Sequence, residues 1–439
     1  MAVIEPFRGL RYNPDKVGDP NRVMAPPYDI ISGKEQEELY AKHPCNVIRL
    51  ELGRTTSADT EQDNRYTRSA ADLRKWFEEG VLLREEKPVL YSYFMDYKTA
   101  EGKQKILKGF LSRVLLEDLD SGVVLPHENT LSGPKADRLQ LMEATHANFS
   151  PIFSLYSNPG MEAIEILDGS ARKSPCIDVT DGDGVRHRVW TVDSKEEIDK
   201  IRRVLADLPL FIADGHHRYE TALNFRNMMR KITGKTDGRQ GFDYVMMYFS
   251  NMEEGGLTIY PTHRLVDHLI NFNLPSYLEQ VAAHFDVRPY SYLEKKKFLR
   301  ELNAVGKERH AFGLYTGESD DLFLLVLKNM DGIRPLFGGK LSSVLQELDV
   351  TILHTILLDR LLGIGEKELK AQSHVRYVKE IEDALHTVND GDAQLAFLLN
   401  GTRVNQLREV SLRGEKMPQK STYFYPKLLT GLVLNSLDD

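Results

Sequence analysis

The stretch PLFIADGHHRYETALNFRNMM, residues 208–228, holds the densest set of groups that could do chemistry. An apolar run suited to a buried strand ends at Asp214-Gly215, and His216, His217 and Arg218 follow where a helix should open. A strand handing over to a helix across a glycine turns the first backbone N–H groups of that helix outward, and the helix dipole makes the spot attractive to anions. Phosphate is the natural guest. Gly215 permits positive φ or close backbone approach, and Arg218 offers a planar fork matched to phosphate oxygens. Asp214, His216 and His217 supply acid or base groups, or orient a metal-nucleotide. The plainer reading is a helix capped by its Asp with exposed histidines; so many consecutive polar or Gly residues behind a core strand favour a site.

Four other polar islands have the same character. VMAPPYDIIS sets Tyr28 and Asp29 behind a stiff Pro pair. LPHENTLSGPKADR puts His127, Glu128, Lys135, Asp137 and Arg138 in one loop punctuated by Gly133-Pro134. IYPTHRLV inserts His263 and Arg264 between apolar residues, and RGEKMPQKSTYFYPKLLTG brings Lys416, Lys420, Ser421 and Thr422 to a helix entrance, either an anion site or an ordinary cap. Two look-alikes fail. TGKT at 233–236 lacks the earlier glycine of a P-loop, where Met229 stands, and DGDGVRH has His187 in place of the third glycine of a dinucleotide fingerprint. Adjacent His216 and His217 are a poor zinc pair, so no protein-held metal is expected; a metal would come with a nucleotide as Mg²⁺.

The elements that must position these groups alternate between strand and helix without an internal repeat. Residues 34–42 and 61–79 have helical spacing, VLYSYFMDY and KILKGFLSRVLL form a hairpin across a Gly-bearing turn, and HAFGLYTGESDDLFLLVLK forms another. DYVMMYFSNM and GGLTIYPTHRLV read as core strands, ELDVTILHTILLDRLLGIG as a helix ended by Gly363, DAQLAFLLNGT as a strand, and YFYPKLLTGLVL as a closing helix introduced by Pro426. The expected fold is α+β with mixed sheets. A first domain over 1–265 carries the strand–turn–helix motif, and a second α/β unit over 266–439 contributes to the same cleft.

Composition narrows the function classes. The chain has 439 residues, 41% hydrophobic and 28% charged, as an ordinary globular protein does. A net charge of −8 argues against nucleic acid as a partner, since phosphate-backbone affinity comes from clustered Lys and Arg. Cys45 and Cys176 are far apart and outside any CxxC pattern, which fits a reducing compartment. With no signal-peptide pattern at the N-terminus and no long apolar run, a cytoplasmic location without membrane contact is expected; oligomeric state is left open.

APPYDIIS, HPCNVIRLELG, PHENTLSGPKADRL, NFSPIFSLY, ADGHHRYETAL, THRLV and MPQKSTYFYPKLLTGL, in this order, resemble a widespread bacterial and archaeal family of unknown function. The core ADGHHRYETA is in turn similar to the Gly-x-x-Arg phosphate motif of the ParB and sulfiredoxin superfamily, whose members include free-serine kinases that move a phosphoryl group from ADP or ATP to the hydroxyl of L-serine. The resemblance implies a ParB/sulfiredoxin-like first domain and a nucleotide-dependent phosphotransferase acting on a small-molecule hydroxyl, with ATP or ADP and Mg²⁺ as cofactors. By position, Gly215, His216, His217 and Arg218 grip phosphate with Asp214 at their edge; the substrate-binding set does not carry over, and Lys135, Arg138 and Lys420 are the further candidates for binding the nucleotide and Glu128 or Asp214 for accepting the hydroxyl proton. A CTP-switch-like nucleotide-binding protein without phosphotransfer is the alternative. Sulfiredoxin chemistry is set aside, because no Cys lies between Gly215 and Arg218.

Overall fold

The computed structural model describes residues 1–128, 130, 132–339 and 341–438, the side chains of Ser132 and Pro134 excepted. Two compact units emerge, Met1–Thr258 with Pro426–Asp439, and Ile259–Tyr425. The sequence placed a division near 265 and gave the whole C-terminal part to the second unit. The contacts divide the chain a few residues earlier, and its last segment packs with the first unit.

The first unit is built on a nine-stranded mixed sheet among the described residues. Its order across the sheet is Val124–Leu125, Leu210–Asp214, Ile152–Tyr156, Tyr244–Asn251, Gln104–Leu115, Leu90–Lys98, Arg186–Val192 and Ile177–Thr180, with Ile4–Glu5 also paired to Gln104–Leu115. The expected hairpin of Leu90–Lys98 and Gln104–Leu115 forms, its aromatic residues buried on the pleat. Tyr244–Asn251 runs antiparallel to Gln104–Leu115 and parallel to Ile152–Tyr156, and Leu210–Asp214 runs parallel to Val124–Leu125, which makes the sheet mixed. Phe110 stacks on Phe249 at 5.0 Å, and Trp190, Ile201, Leu205 and Leu167 close the core over one face. The helices Glu162–Ser170 and Lys195–Ala206 cover that face through their apolar stripes.

Two sequence readings in this unit are corrected. PHENTLSGPKADR is not one loop: a helix runs Ser132–Thr145, so Lys135, Asp137 and Arg138 are helical. Gly133-Pro134 reads as a break, yet proline is tolerated in a first helical turn, where its missing N–H would have no intrahelical partner. Asn129 and Leu131 of this stretch lie outside the described residues. YFYPKLLTGLVL forms no closing helix. Tyr423–Tyr425 is a strand, and the following segment, bent at Pro426 and around Gly431, bridges Thr430 to Ala25 and Leu434 to Leu10 before Asn435–Ser436 pairs with Ala147–Asn148. A nearly continuous apolar run cannot be told from a buried strand by periodicity, and here backbone pairing partners on three segments decide it.

The second unit holds a six-stranded sheet in the order Phe285–Ser291, Asp321–Leu327, Ala311–Thr316, Leu395–Leu398, His263–Val266 and Val375–Val378. The expected second hairpin pairs Ala311–Thr316 with Asp321–Leu327, and Phe298, Leu302, Leu385 and Val388 bring two helices onto the sheet. The apolar run after Leu348 is helical, with its centre wound as a π-helix over Leu353–Arg360 and its end at Gly363. Both units mix α and β structure. No described helix is long and apolar enough to cross a membrane.

Candidate functional site

The strand Leu210–Asp214 ends beside Ile152–Tyr156 with a register shift between Ile212 and Asp214, and Asp214 faces Phe153. Such irregularities re-aim side chains at strand ends. Gly215 follows with φ of 98° and opens the helix His216–Thr233. Its left-handed backbone would strain any other residue, and an added Cβ would lie 2.9 Å from Arg218 Nε. As a glycine cap it brings no side chain to the first turn, which rules out the Asp-capped reading: Asp214 is engaged elsewhere.

Asp214 Oδ2 accepts from Lys427 Nζ at 2.8 Å, and Arg218 Nη2 lies 3.7 Å from Oδ1. Burial opposes the charge of this carboxylate, but Lys427, Arg218 and His216 outweigh it and hold the carboxyl well below the usual range. Arg218 also donates through Nη1 to the Pro151 carbonyl, so its fork folds beneath the glycine turn. His216 is turned inward. Its Nε2 accepts the His127 backbone N–H at 3.2 Å, its ring meets the His127 ring edge-on at 4.6 Å, and His127 Nδ1 donates to the Ile212 carbonyl at 2.7 Å. Burial takes the His127 pKa down to about 4, so this imidazole is neutral and braces the strand end.

His217 is half-buried on the other side of the turn. Burial lowers its pKa, while Glu128, Glu220 and Asp29 pull it up and Lys135 pushes it down. The PYD, PHENT and GHHR islands thus meet around one imidazole. Glu220 accepts from Lys135 Nζ and from Thr130 Oγ1, both at 2.8 Å, which ties the helix Ser132–Thr145 to His216–Thr233.

Arg138 anchors the floor. It donates to the Glu51 carbonyl at 2.8 Å and to Glu51 Oε1 at 3.0 Å, grips Asp137 Oδ2 at 2.6 Å, and lies 4.1 Å over the Tyr28 ring. Burial raises the Glu51 pKa against the pull of Arg138 and Arg218, and burial pushes Tyr28 up to about 12. Asp137 is shared with Tyr66 and Arg65. A cavity of about 40 Å³ lies between Glu51, Arg138, Ser150 and Arg218, room for water but not for a nucleotide.

Of the sequence candidates, the structure gathers Asp214, Gly215, His216, His217, Arg218, Glu128, Lys135 and Arg138, joined by Tyr28, Asp29, His127 and Asp137. Lys420, His263 and Arg264 belong to the second unit. There Arg264 is buried, bonded to the Lys420 carbonyl at 3.1 Å and to His354 at 3.3 Å. Sequence reasoning missed Glu51, Glu220 and Lys427 as site residues. Lys427 stands directly after Pro426 in a run read as helix, and Glu51 is one charge in RLELG; neither spacing signals a partner.

The turn thus joins a glycine without a side chain, a helix N-terminus and the Lys427–Asp214–Arg218 group. Among the described residues no group of three or more His, Cys, Asp or Glu side chains is placed to hold a metal ion.

This is an α/β strand–turn–helix site on a mixed sheet. Residues 4–351 match the model of a family described as Protein of unknown function (DUF1015), and the chain belongs to that family. No curated protein sequence matches the chain. Among solved structures, a free serine kinase in complex with AMP is similar at 13% identity over 70% of this chain and 85% of that one, with a TM-score of 0.34. A conserved hypothetical protein from Pyrococcus furiosus reaches 14% identity over 71% and 90%, and SbnI with a C-terminal truncation from Staphylococcus aureus 10% over 73% and 85%, both again at 0.34. Likeness at this level is too slight to carry residue roles from one chain to another.

Proposed function

We propose that the protein is a nucleotide-dependent phosphotransferase acting on the hydroxyl of a small molecule, in the manner of a serine kinase, with a first unit of ParB/sulfiredoxin-like kind. One observation carries the reading: left-handed Gly215 joins a core strand to a long helix directly over the Arg218 guanidinium, with Lys427 alongside. The similarity of ADGHHRYETA to the Gly-x-x-Arg phosphate motif supports it.

Phosphoryl transfer needs positioning and charge neutralisation more than covalent help. In this reading the Gly215–Arg218 backbone seats a phosphate of ATP or ADP, and Arg218 and Lys427 neutralise it from beneath. Mg²⁺ arriving with the nucleotide supplies further neutralisation of the phosphates. The acceptor oxygen forms a bond to phosphorus as the bridging P–O bond to the nucleotide breaks, and the hydroxyl proton passes to a protein base. Asp214 is a weak base, because Lys427 and Arg218 hold its carboxyl far below the usual range. Glu128, beside His217, is the better acceptor, and His217 orients it. Lys135 adds charge near Glu220, and Arg138 fixes Glu51 and Tyr28 behind the turn. Lys420 stands in the second unit and enters no part of this scheme.

The test is release of ADP or AMP with ATP or ADP as donor across serine and a broad panel of hydroxyl metabolites, alongside calorimetry of nucleotide binding. Turnover with at least one acceptor is expected. Absence of both turnover and binding overturns the proposal. Binding without any turnover favours the alternative, a CTP-switch-like nucleotide-binding protein, to which the full engagement of Asp214 with two cations is equally suited.

A further inference from the structure

The second unit has a polar cavity of its own. The strand Leu395–Leu398 runs into Asn400-Gly401, and the helix Val404–Leu412 opens at Arg403. Between this handover, the end of the helix Lys295–Gly306 and the turn before the helix Asp349–Ile352 lies a cavity of about 290 Å³. That is roughly twice the room that admits benzene, enough for a molecule of about ten non-hydrogen atoms. Ligand cavities are mostly apolar with a few polar groups, whereas this one has no apolar side chain among its described lining residues.

Its walls are fixed. Asn400 Nδ2 donates to the Leu302 and Ala311 carbonyls at 3.3 and 3.2 Å, and a Cβ on Gly306 would lie 2.0 Å from that nitrogen, so only glycine leaves the amide its place. Thr402 Oγ1 donates to the Ser421 carbonyl at 2.8 Å, and Gln406 Nε2 to the Glu347 carbonyl at 3.4 Å. His310 Nδ1 lies 2.7 Å from Asp349 Oδ1, a pairing that puts the ring proton of the neutral imidazole on Nδ1 and leaves Nε2 as an acceptor.

The charges around the cavity decide what suits it. Asp349 is engaged with His310, Glu347 with Arg334 at 3.2 Å, and Arg309 with the Leu327 carbonyl at 2.7 Å and Asp286 at 3.7 Å. Two opposite charges are left over. Arg403 Nη2 donates to the Lys307 carbonyl and, at 3.0 Å, to the Gly306 carbonyl, both neutral acceptors. Its guanidinium thus sits against the peptide that leads into Glu308. Among the described residues neither Arg403 nor Glu308 has an oppositely charged side chain within ion-pair distance. An anion alone would meet Glu308 unpaired, and a cation alone would meet Arg403. A molecule carrying both signs satisfies the two at once.

We propose that this cavity binds a small zwitterion, a free amino acid, with its carboxylate on Arg403, its ammonium on Glu308 and one ammonium N–H donated to His310 Nε2. The proposal is independent of the phosphotransfer reading, since every residue it uses lies within Ile259–Tyr425.

Calorimetric titration of the full chain with each of the standard amino acids tests it. At least one is expected to bind, one molecule per chain, while its decarboxylated amine and its deaminated acid bind about tenfold more weakly or worse, because each lacks one of the two charged contacts. Arg403→Met and Glu308→Gln are each expected to weaken the amino acid by a similar factor. Both side chains are exposed, and if one variant does not fold by circular dichroism the other reads the same way. No binding of any standard amino acid at millimolar concentration, an amine or acid that binds as well as the zwitterion, or affinity unchanged in a folded variant would each overturn the proposal, the last by placing the ligand elsewhere on the chain.

Discussion

Gly215 is the residue on which the site turns. Its φ of 98° and the Arg218 guanidinium beneath it leave no place for a side chain. Gly215→Ala is expected to cost about 1–3 kcal/mol in urea unfolding and to abolish calorimetric nucleotide binding. Lys427→Met removes the closest counter-charge of Asp214 but leaves Arg218, so a loss of roughly 3 kcal/mol is expected, with Asp214→Asn/Lys427→Met less destabilised than Lys427→Met alone. His127 sets a pH signature. Its pKa falls from the ordinary 6.5 to about 4 on folding, so the unfolded chain binds the extra proton between those values. Its stabilising effect is therefore whole above pH about 6.5 and lost as pH falls toward 4, by roughly 3 kcal/mol, and His127→Phe should flatten that part of a stability–pH curve. Asp214, also depressed, loses its contribution only below the ordinary Asp range, so the two windows separate. Much of this site is legible in ADGHHRYE, because a glycine between an apolar run and a cluster of cations and imidazoles has few structural uses. Lys427 and Glu51 are not, since each acts through a partner hundreds or tens of residues away and its neighbours look like any apolar segment.

At the scale of elements, the helix Ser132–Thr145 decides how the pieces meet. Lys135 ties it to the helix beginning at His216, and Arg138 ties it to Glu51. The Arg138 and Glu51 side chains are only 6% and 4% exposed, so breaking the pair strands a charge. Arg138→Met is expected to destabilise by about 3–5 kcal/mol in chemical denaturation, and Arg138→Met/Glu51→Leu to recover part of that, which separates a stranded charge from a loss of packing. Gly133-Pro134 hides this helix from the sequence, because the same pair that starts a helix can also break one. The hairpins were legible for the opposite reason: long aromatic runs on both sides of a Gly-bearing turn leave few alternatives.

At the scale of the whole molecule, the chain leaves its first unit near Thr258 and returns to it at Pro426. The returning segment brings Lys427 to Asp214 and buries Leu428, Leu432, Leu434 and Leu437. Removal of residues 426–439 is expected to broaden or abolish the cooperative unfolding transition of the first unit in calorimetry, because bridges to Leu10, Ala25 and Ala147 go with it. A sequence reading that assigns domains by position along the chain has no view of such a return, which depends on pairing partners far away. The most direct test of the central claim is a crystal structure of the full chain soaked with ADP and Mg²⁺. A phosphate on the backbone of Gly215, His216 and His217, above Arg218 and Lys427, is the predicted result; nucleotide absent from that turn at saturating concentration, or bound elsewhere, would contradict it.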